Sequence, residues 1–589
     1  MKELKTLLPY FKKYLFWYIP GIICLVVTDG GQLVVPQIVR KAVDIISEGT
    51  FPLARILILA IEIAAVALII GLGRFGWRFF IHGASRRIEK ELRDKLFSHL
   101  LKLSRTFYSR YKTGDLMSRF TNDIDAIRMA TGMALVALID GIFMTLAILL
   151  ILFKQDAGLT ALTVLPLPLI TVGILFFGKT IGEQFRRVQE GFSTISEMVQ
   201  ESISGIRVLK TFVQEKAYLR KFGEKNEEYS KRNMELVRIY GIFFPLIVFL
   251  SGLTNVIFLF LGGKGVIEGR SSPGDFTAFL SYLQMLVWPV MGAGFTITLI
   301  QRGTASLGRI NRILEEMPDI ASPEKAIGKP DGKKILGKIT FKNLSFTYSD
   351  SHTPAVKNIN LEIPEGTILG ILGKTGSGKS TLVNLLPRIL DPPPGTLFID
   401  GEEVQSYDLS VLRSFIAMIP QDIFLFSDSI CANISFGMKN RDGKQFSEKI
   451  NRMAEISTIN RDVRTFPEGL DTIIGERGVS LSGGQKQRIA LSRALAVDPK
   501  ILLLDDSFSS VDTETENSIL QNLQAYLKGK TSILISHRIS TLKIADFIIV
   551  MDGGEIVQRG THETLVAEDG FYQEIYNIQK LGEVLEAKA

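Results

Sequence analysis

Six apolar stretches, all placed before residue 308, restrict this chain more than any other feature. They run near Tyr14–Val35, Leu53–Phe80, Thr131–Phe153, Leu159–Phe177, Ile239–Gly263 and Phe276–Ile300. Each is about as long as, or longer than, the roughly 20 residues a helix needs to cross the hydrocarbon core of a bilayer. A backbone in lipid has to satisfy its own polar groups, so the stretches predict an all-helical membrane bundle of six spans. Hydrophobic residues make up 46% of the 589, concentrated in these stretches, and the chain divides into a membrane half and a soluble half.

The gaps between spans are unequal. Lys154–Gly158 is a tight turn, and Lys264–Asp275 is a short Gly/Ser/Pro loop. Ile81–Ala130 and Gly178–Arg238 are each about fifty residues or more, too long for structureless loops. Both have a helical apolar period, which predicts helices that continue beyond the membrane. Basic residues crowd these two gaps, among them Arg86, Arg87, Lys90, Arg93, Arg186, Arg187, Arg232 and Arg238, and are sparse in the others. The asymmetry places the long gaps, both termini and the soluble half in the cytoplasm of a multi-pass protein of the cell (inner) membrane. It also accounts for the net charge of +7 without nucleic acid, for which no groove-reading motif is present. MKELKTLLPYFKKY reads as an interfacial helix leading into the first span, not as a removable signal. Cys24 and Cys431 fall in different halves, which argues against a disulfide framework, a metal cluster or an appended cysteine protease.

Ionisable and polar residues inside spans are functional candidates, because burying charge in lipid is costly. Asp29, Glu62, Arg74, Asp140, Asn255 and Gln284 qualify. Glu62 and Arg74 are twelve residues apart on one helix, too far to pair. Gly30 and Gly31 beside Asp29 permit local unwinding or close helix approach. Phe243, Phe244, Phe249, Phe258 and Phe260 crowd the fifth span, either lining a pocket or facing lipid and core.

Residues 1–308 thus form a transmembrane domain, 309–338 a linker loosened by Pro318, Pro323 and Pro330, 339–580 a soluble domain and 581–589 a tail. Within the soluble domain, a buried strand Thr367–Leu372 leads into Gly373-Lys374-Thr375-Gly376-Ser377-Gly378-Lys379-Ser380, and a helix follows from Leu382. This is the phosphate-loop pattern in its strand–loop–helix context. Its glycines let backbone N–H groups curl around a β-phosphate, and the helix start adds its dipole. Lys379 neutralises β/γ oxygens, Ser380 offers a hydroxyl to magnesium, and Thr381 adds a phosphate contact. A second apolar strand, Ile501–Leu504, ends in Asp505 and Asp506, which is how a parallel sheet presents carboxylates to magnesium and water. Upstream, Leu481-Ser482-Gly483-Gly484-Gln485 opens a basic helix.

With that LSGGQ turn between phosphate loop and acidic strand, the chain resembles ATP-binding cassette (ABC) exporters over nearly its whole length. The resemblance implies an exporter type I fold: the six-helix domain followed by an α/β P-loop nucleotide-binding domain that uses ATP and Mg2+. It implies that Tyr348 stacks on adenine, that Gln421 touches magnesium and the attacking water, and that Ser380 and Asp505 complete the metal's ligands. His537 takes the place of the switch histidine, Asp512 ends the D-loop Ser509–Asp512, and Gly475-Glu476-Arg477-Gly478 precedes the signature. FYSRYKTGDLMSRFTNDIDAI and ESISGIRVLKTFVQEKAY resemble the family's intracellular loops, with coupling helices expected near Ser109–Gly114 and Thr211–Glu215. In the family, Ser482, Gly483, Gly484 and Gln485 complete the ATP site of a second, head-to-tail domain, so a second ABC half-transporter is required.

One departure stands out. The family usually has glutamate at the position of Asp506, and aspartate is one methylene shorter. A base has to sit within about 2.6–3.2 Å of its proton, so the site on this chain's own phosphate loop is expected to turn over slowly. The intact signature then predicts a heterodimer whose partner brings the glutamate; a homodimer with two slow sites is the alternative. The implied function is ATP-driven export of amphipathic drugs, lipids or peptides in contact with membrane lipids. A lipid flippase or a siderophore importer on the same fold is the neighbouring reading. An ATP-gated channel or regulatory subunit is a different class, and no regulatory insert follows the linker. A soluble P-loop kinase is excluded by the six spans.

Overall fold

The computed structural model describes residues 3–48, 53–323, 326–327, 335–439, 441–475 and 481–586. Glu476, Arg477, Gly478, Pro330 and the last three residues of the tail lie outside the described residues. The chain separates into two compact units, residues 1–102 with 111–317 and residues 103–110 with 318–589.

The first unit is helical throughout its described residues. A helix over Leu8–Lys13 sits where the interfacial helix is expected, and Lys13 pairs with Glu91 at 2.7 Å. Among the described residues, five helices are long and apolar enough to span a membrane: Leu15–Ser47, Ala54–Leu100, Thr113–Gln155, Glu215–Ile267 and Pro273–Glu315. The fourth expected span, Leu159–Phe177, is split. One helix covers Ala157–Val164, with Asp156 capping it by accepting from the Leu159 N–H at 2.9 Å, and the next runs Pro166–Ser204. Pro166 lacks the N–H that would continue the first helix but suits the opening turn of the second.

The helices do run far past the apolar stretches, as the long gaps predict. The sixth reaches Glu315, beyond the expected boundary at residue 308, because its apolar face continues through the fully buried Ile310 and Ile313. Arg309, expected to open the linker, instead pairs with the buried Asp123, which also accepts from Ser306 at 2.9 Å and Arg119 at 3.0 Å. Around the spans, Tyr282 donates to the Leu33 carbonyl at 2.7 Å and accepts from Gln37 at 3.0 Å, tying the sixth helix to the first. Phe258 is a core residue, stacked on Phe276 and Phe279 at 4.7 Å, whereas Phe244, Phe249 and Phe260 are exposed.

The short helices midway along the long gaps lie earlier than expected. They cover Arg105–Arg110 and Ile206–Thr211. Gly114, expected to close the first, lies in the opening turn of the following helix, Thr113–Ser118. In the second, the long helix ends at Gly205, which moves the short helix forward, and Val213 adopts a left-handed φ of 54° before Glu215 starts the next helix.

Ten strands are described in the second unit. They are β1 (Ile339–Phe346), β2 (Val356–Ile363), β3 (Ile368–Gly373), β4 (Leu397–Ile399), β5 (Glu402–Glu403), β6 (Ile416–Ile419), β7 (Ile501–Asp505), β8 (Thr531–Ile535), β9 (Phe547–Asp552) and β10 (Glu555–Gly560). An antiparallel sheet has the order β2-β1-β4-β5, and a mostly parallel one the order β10-β9-β3-β8-β7-β6. The central strands are buried on both faces, and their period of two feeds two cores. Leu369, Ile371, Leu503 and Ile533 pack toward the antiparallel sheet. Leu502, Leu504 and Leu534 pack toward a helical lobe that includes Ile430–Ile434, Lys444–Ile456 and Gly483–Ala496. The phosphate loop is on the first side and the signature helix on the second.

Candidate active site

The phosphate loop leaves the C-terminal end of β3, whose six residues are all buried. Gly376 and Gly378 take left-handed φ values of 82° and 94°, which side chains disfavour. The helix begins at Lys379, three residues before the expected Leu382, so its first N–H groups belong to the loop itself. The Lys379 ammonium bends back over the loop and donates to the carbonyls of Gly373 at 2.8 Å and Lys374 at 2.7 Å. Burial pushes its pKa below the usual lysine range, against the pull of Asp505 and Asp506. That ammonium is held at the spot where a phosphate charge would settle. The Lys374 side chain turns away, over the Phe571 ring, so only its backbone serves the loop.

Asp505 ends β7, 3% exposed, and its pKa is raised chiefly by burial, against a hydrogen bond from Ser380. Lys379, Ser380, Asp505, Asp506 and His537 therefore converge at one end of the parallel sheet. Asp506 has a left-handed φ of 49°, and its N–H donates to the Ile535 carbonyl at 3.0 Å. Gln421 follows β6 and is exposed. The Tyr348 hydroxyl shares a 3.0 Å hydrogen bond with Thr381, and its ring meets Phe346 edge-on. Among the described residues no group of three or more His, Cys, Asp or Glu is arranged to hold a metal by itself. A Ser380 hydroxyl on an Asp505 carboxyl is nevertheless the hard-oxygen pair that magnesium takes together with phosphate oxygens.

The signature turn is held by reciprocal hydrogen bonds. Ser482 caps the helix Gly483–Ala496 in a reciprocal box with Gln485, at 3.2 and 3.0 Å. A Cβ on Gly484 would lie 2.9 Å from the Ser510 carbonyl oxygen, so only glycine lets this turn pack on the Ser509–Asp512 loop. Asp512 caps the next helix by accepting from the Thr515 N–H at 2.9 Å, so in this structure its side chain serves the backbone.

Three supporting groups escaped the sequence reading. Gln487 clasps the same loop, donating to Ser509 at 3.0 Å and accepting from the Ser510 N–H at 3.0 Å. Asp462 accepts from Gln485 at 2.8 Å and pairs with Arg488 at 2.8 Å. Gln579, on the helix Phe571–Glu586, accepts from the Ile539 N–H at 2.9 Å and donates to the His537 carbonyl at 2.7 Å. It lies 42 residues from His537, and nothing local in the sequence marks it. Gln579→Leu removes both bonds; at about 1 kcal/mol net per hydrogen bond, about 2 kcal/mol in all, it is expected to lower ATP turnover by up to roughly thirtyfold with nucleotide affinity unchanged, read by steady-state ATPase and nucleotide titration.

Family models match two segments, the ABC transporter transmembrane region over residues 18–290 and the ABC transporter domain over residues 356–509. The chain is 36% identical to the probable multidrug resistance ABC transporter ATP-binding/permease protein YheI of Bacillus subtilis, over 98% of each chain. It is also 36% identical to an ATP-dependent lipid A-core flippase of Syntrophus aciditrophicus, over 85% of this chain and 82% of that one. Its fold is similar to that of a bacterial Atm1-family ABC exporter solved with ATP bound, with a TM-score of 0.77 and 25% identity over 97% and 99% of the two chains.

Proposed function

The chain belongs to the ABC transporter family, a membrane-embedded ATPase coupled to transport, and from that premise we propose that it is one half of an exporter of amphipathic compounds. The observation that carries the reading is the pairing of a complete phosphate loop and acidic strand on one core with an intact signature turn on the other. Two such chains placed head to tail would close each ATP between one phosphate loop and the other chain's Ser482–Gln485. ATP closure, passed to the spans, turns the cavity outward, and hydrolysis resets it. Tyr348 would stack on adenine, the loop Gly373–Thr381 would hold the phosphates, and Asp512 would lie beside the partner's nucleotide. Ser380, Asp505 and Gln421 would hold Mg2+, which would supply positive charge against the phosphate oxygens. Asp506 and His537 would orient the attacking water and the γ-phosphate. The nucleotide domain lies in the cytoplasm on this reading, on the side of the basic gaps.

The two short helices support a dimer. Arg105–Arg110 falls within the second compact unit, where Ser104 and Thr106 donate to Asp319. On Ile206–Thr211 and the turn after it, Val208, Phe212 and Val213 are all at least 60% exposed. The second unit in turn carries a groove of about 930 Å³ behind Gln421, lined by Phe424, Phe426, Phe436 and Met438. The exposed apolar turn of one chain would fill the groove of the other. Phe212→Asp is expected to lower substrate moved per ATP by about tenfold, as for an anchor residue at an interface, while ATP binding stays unchanged; vesicle transport and ATPase measured together check this.

The Asp506 substitution favours a heterodimer whose partner carries glutamate. The decisive experiment places the purified transporter in sealed vesicles and follows ATP-driven accumulation of a fluorescent amphipath. Accumulation supports export. ATP-dependent ion conductance without accumulation would replace it with a channel. Purifying the chain alone tests the dimer: an ATPase-active homodimer would remove the need for a partner.

A further inference from the structure

Two acids lie where the transmembrane unit should be apolar. Asp29 is 1% exposed on the first span, and its Oδ2 is shielded from water with no hydrogen-bond donor. Asp140, on the third transmembrane helix, Met133–Gln155, lies within hydrogen-bonding reach of it. The helix Leu15–Ser47 is unbroken here, so Gly31 serves close approach and not unwinding: a Cβ on it would meet Ile70 at 2.8 Å, whereas Gly30 has open space beside it. Counting along the helices to Ser47 and Gln155, both acids are about 25 Å of rise from the ends that face away from the basic gaps. Within their apolar stretches, Tyr14–Val35 and Thr131–Phe153, both acids are also at least about 9 Å of rise from either end, which puts them inside the hydrocarbon core. One turn further along both helices, Leu33 and Met144 enter the same apolar cluster, which covers the acids on that side.

Two carboxyls this close cannot both stay ionised in an apolar setting; they share a proton or neutralise a cation. Arg74 on the second span is close enough to act electrostatically on Asp29, yet no ion pair joins it to either acid among the described residues. The neighbouring Thr28 hydroxyl is spent on the Cys24 carbonyl at 2.7 Å. A hard metal ion wants six or more oxygens, and the lining of leucine and methionine does not supply them. A weakly hydrated organic cation needs only one net negative charge and apolar walls.

We propose that Asp29 and Asp140 form a proton-sharing carboxyl pair that recognises the positive group of an organic cation inside the transmembrane domain. The proposal rests on the export reading and narrows its cargo. Binding is an exchange: the cation settles on the pair, and the shared proton leaves to water, so charge balances. The charges facing Asp29 are Asp140 and Arg74.

The test uses the full-length transporter, in its native dimer in lipid nanodiscs, with radiolabelled tetraphenylphosphonium as the cation and Nile red as a neutral amphipath. The wild type is expected to release up to about one proton per phosphonium bound, seen with a pH dye in weak buffer. Asp29→Asn and Asp140→Asn should each weaken phosphonium binding about tenfold and abolish proton release, with Nile red affinity changed less than about twofold. Asp29→Glu, which keeps the carboxyl, should restore most of the loss. Equal losses for both ligands would mean a collapsed cavity and overturn the proposal, as would unchanged phosphonium binding or proton release that survives the double variant. If Nile red binds here and an amphipath accumulates in the sealed-vesicle assay while phosphonium ignores both acids, export stands and the cation site falls. If the wild type binds neither, both fall.

Discussion

Asp506→Glu is expected to raise ATP turnover at this chain's own site by about tenfold to a hundredfold. The backbone leaves the side chain little choice of direction, because Asp506 is held at φ 49° with its N–H on the Ile535 carbonyl at 3.0 Å. From that fixed start, one more methylene carries the carboxyl about 1.5 Å further toward the phosphates. A displacement of about 1 Å at a reacting group can cost ~10²-fold in rate, which sets the upper end of the gain. The lower end allows for strain, since aspartate accepts the left-handed region more readily than glutamate does. Asp506→Asn is the companion variant. In a site where Asp506 contributes little, its effect is small; loss of turnover as large as in a competent site would show that the aspartate already works as a base. Single-turnover hydrolysis, with the partner's site silenced, separates the outcomes.

The backbone setting of the candidate site was legible in this sequence because phosphate chemistry fixes spacing. Gly373–Ser380, Asp505 and Ser482–Gln485 fall in the strand–loop–helix settings expected of them, with ends displaced by one to three residues. The spans were legible because a bilayer demands length and apolarity, and five of the six came through as single long helices. What failed did so for local backbone reasons. Pro166 divides the fourth span, and Gly205 and Val213 reposition the second short helix. The groups that hold the site in shape were not legible at all. Gln579 and Asp462 act across 42 and 23 residues of chain, and a polar side chain on a helix looks the same in sequence whether it faces water or a catalytic loop. Asp29 and Asp140 fall between these cases: each was conspicuous alone, but their pairing, 111 positions apart, needed the packing of two helices.

Gly484→Val should have the opposite sign and reach further. The position opens the signature helix, and its missing side chain is what admits the Ser510 carbonyl, 2.9 Å from where a Cβ would stand. A branched side chain forces the loop Ser509–Asp512 away and turns the helix's first N–H groups off line. In the proposed dimer those groups complete the partner's ATP, not this chain's own. Removing one preorganised donor from a developing charge costs about 10²–10³ in rate, and here two amides and the Ser482 hydroxyl move together. ATPase of the whole transporter is therefore expected to fall at least about a hundredfold, even though the site on this chain that we propose to be slow keeps its phosphate loop and acids. Nucleotide affinity at Lys379 should stay within about twofold, which fluorescent ATP titration checks and which separates the effect from misfolding. A homodimer with two equal sites predicts a different pair of results. There, Gly484→Val silences everything, but Asp506→Glu accelerates everything, because both sites carry the aspartate. In a heterodimer the glutamate variant adds turnover at one site only, and the glycine variant removes the turnover already present at the other. The two substitutions, measured in one preparation, thus count the kinds of site even where the partner's sequence is unknown.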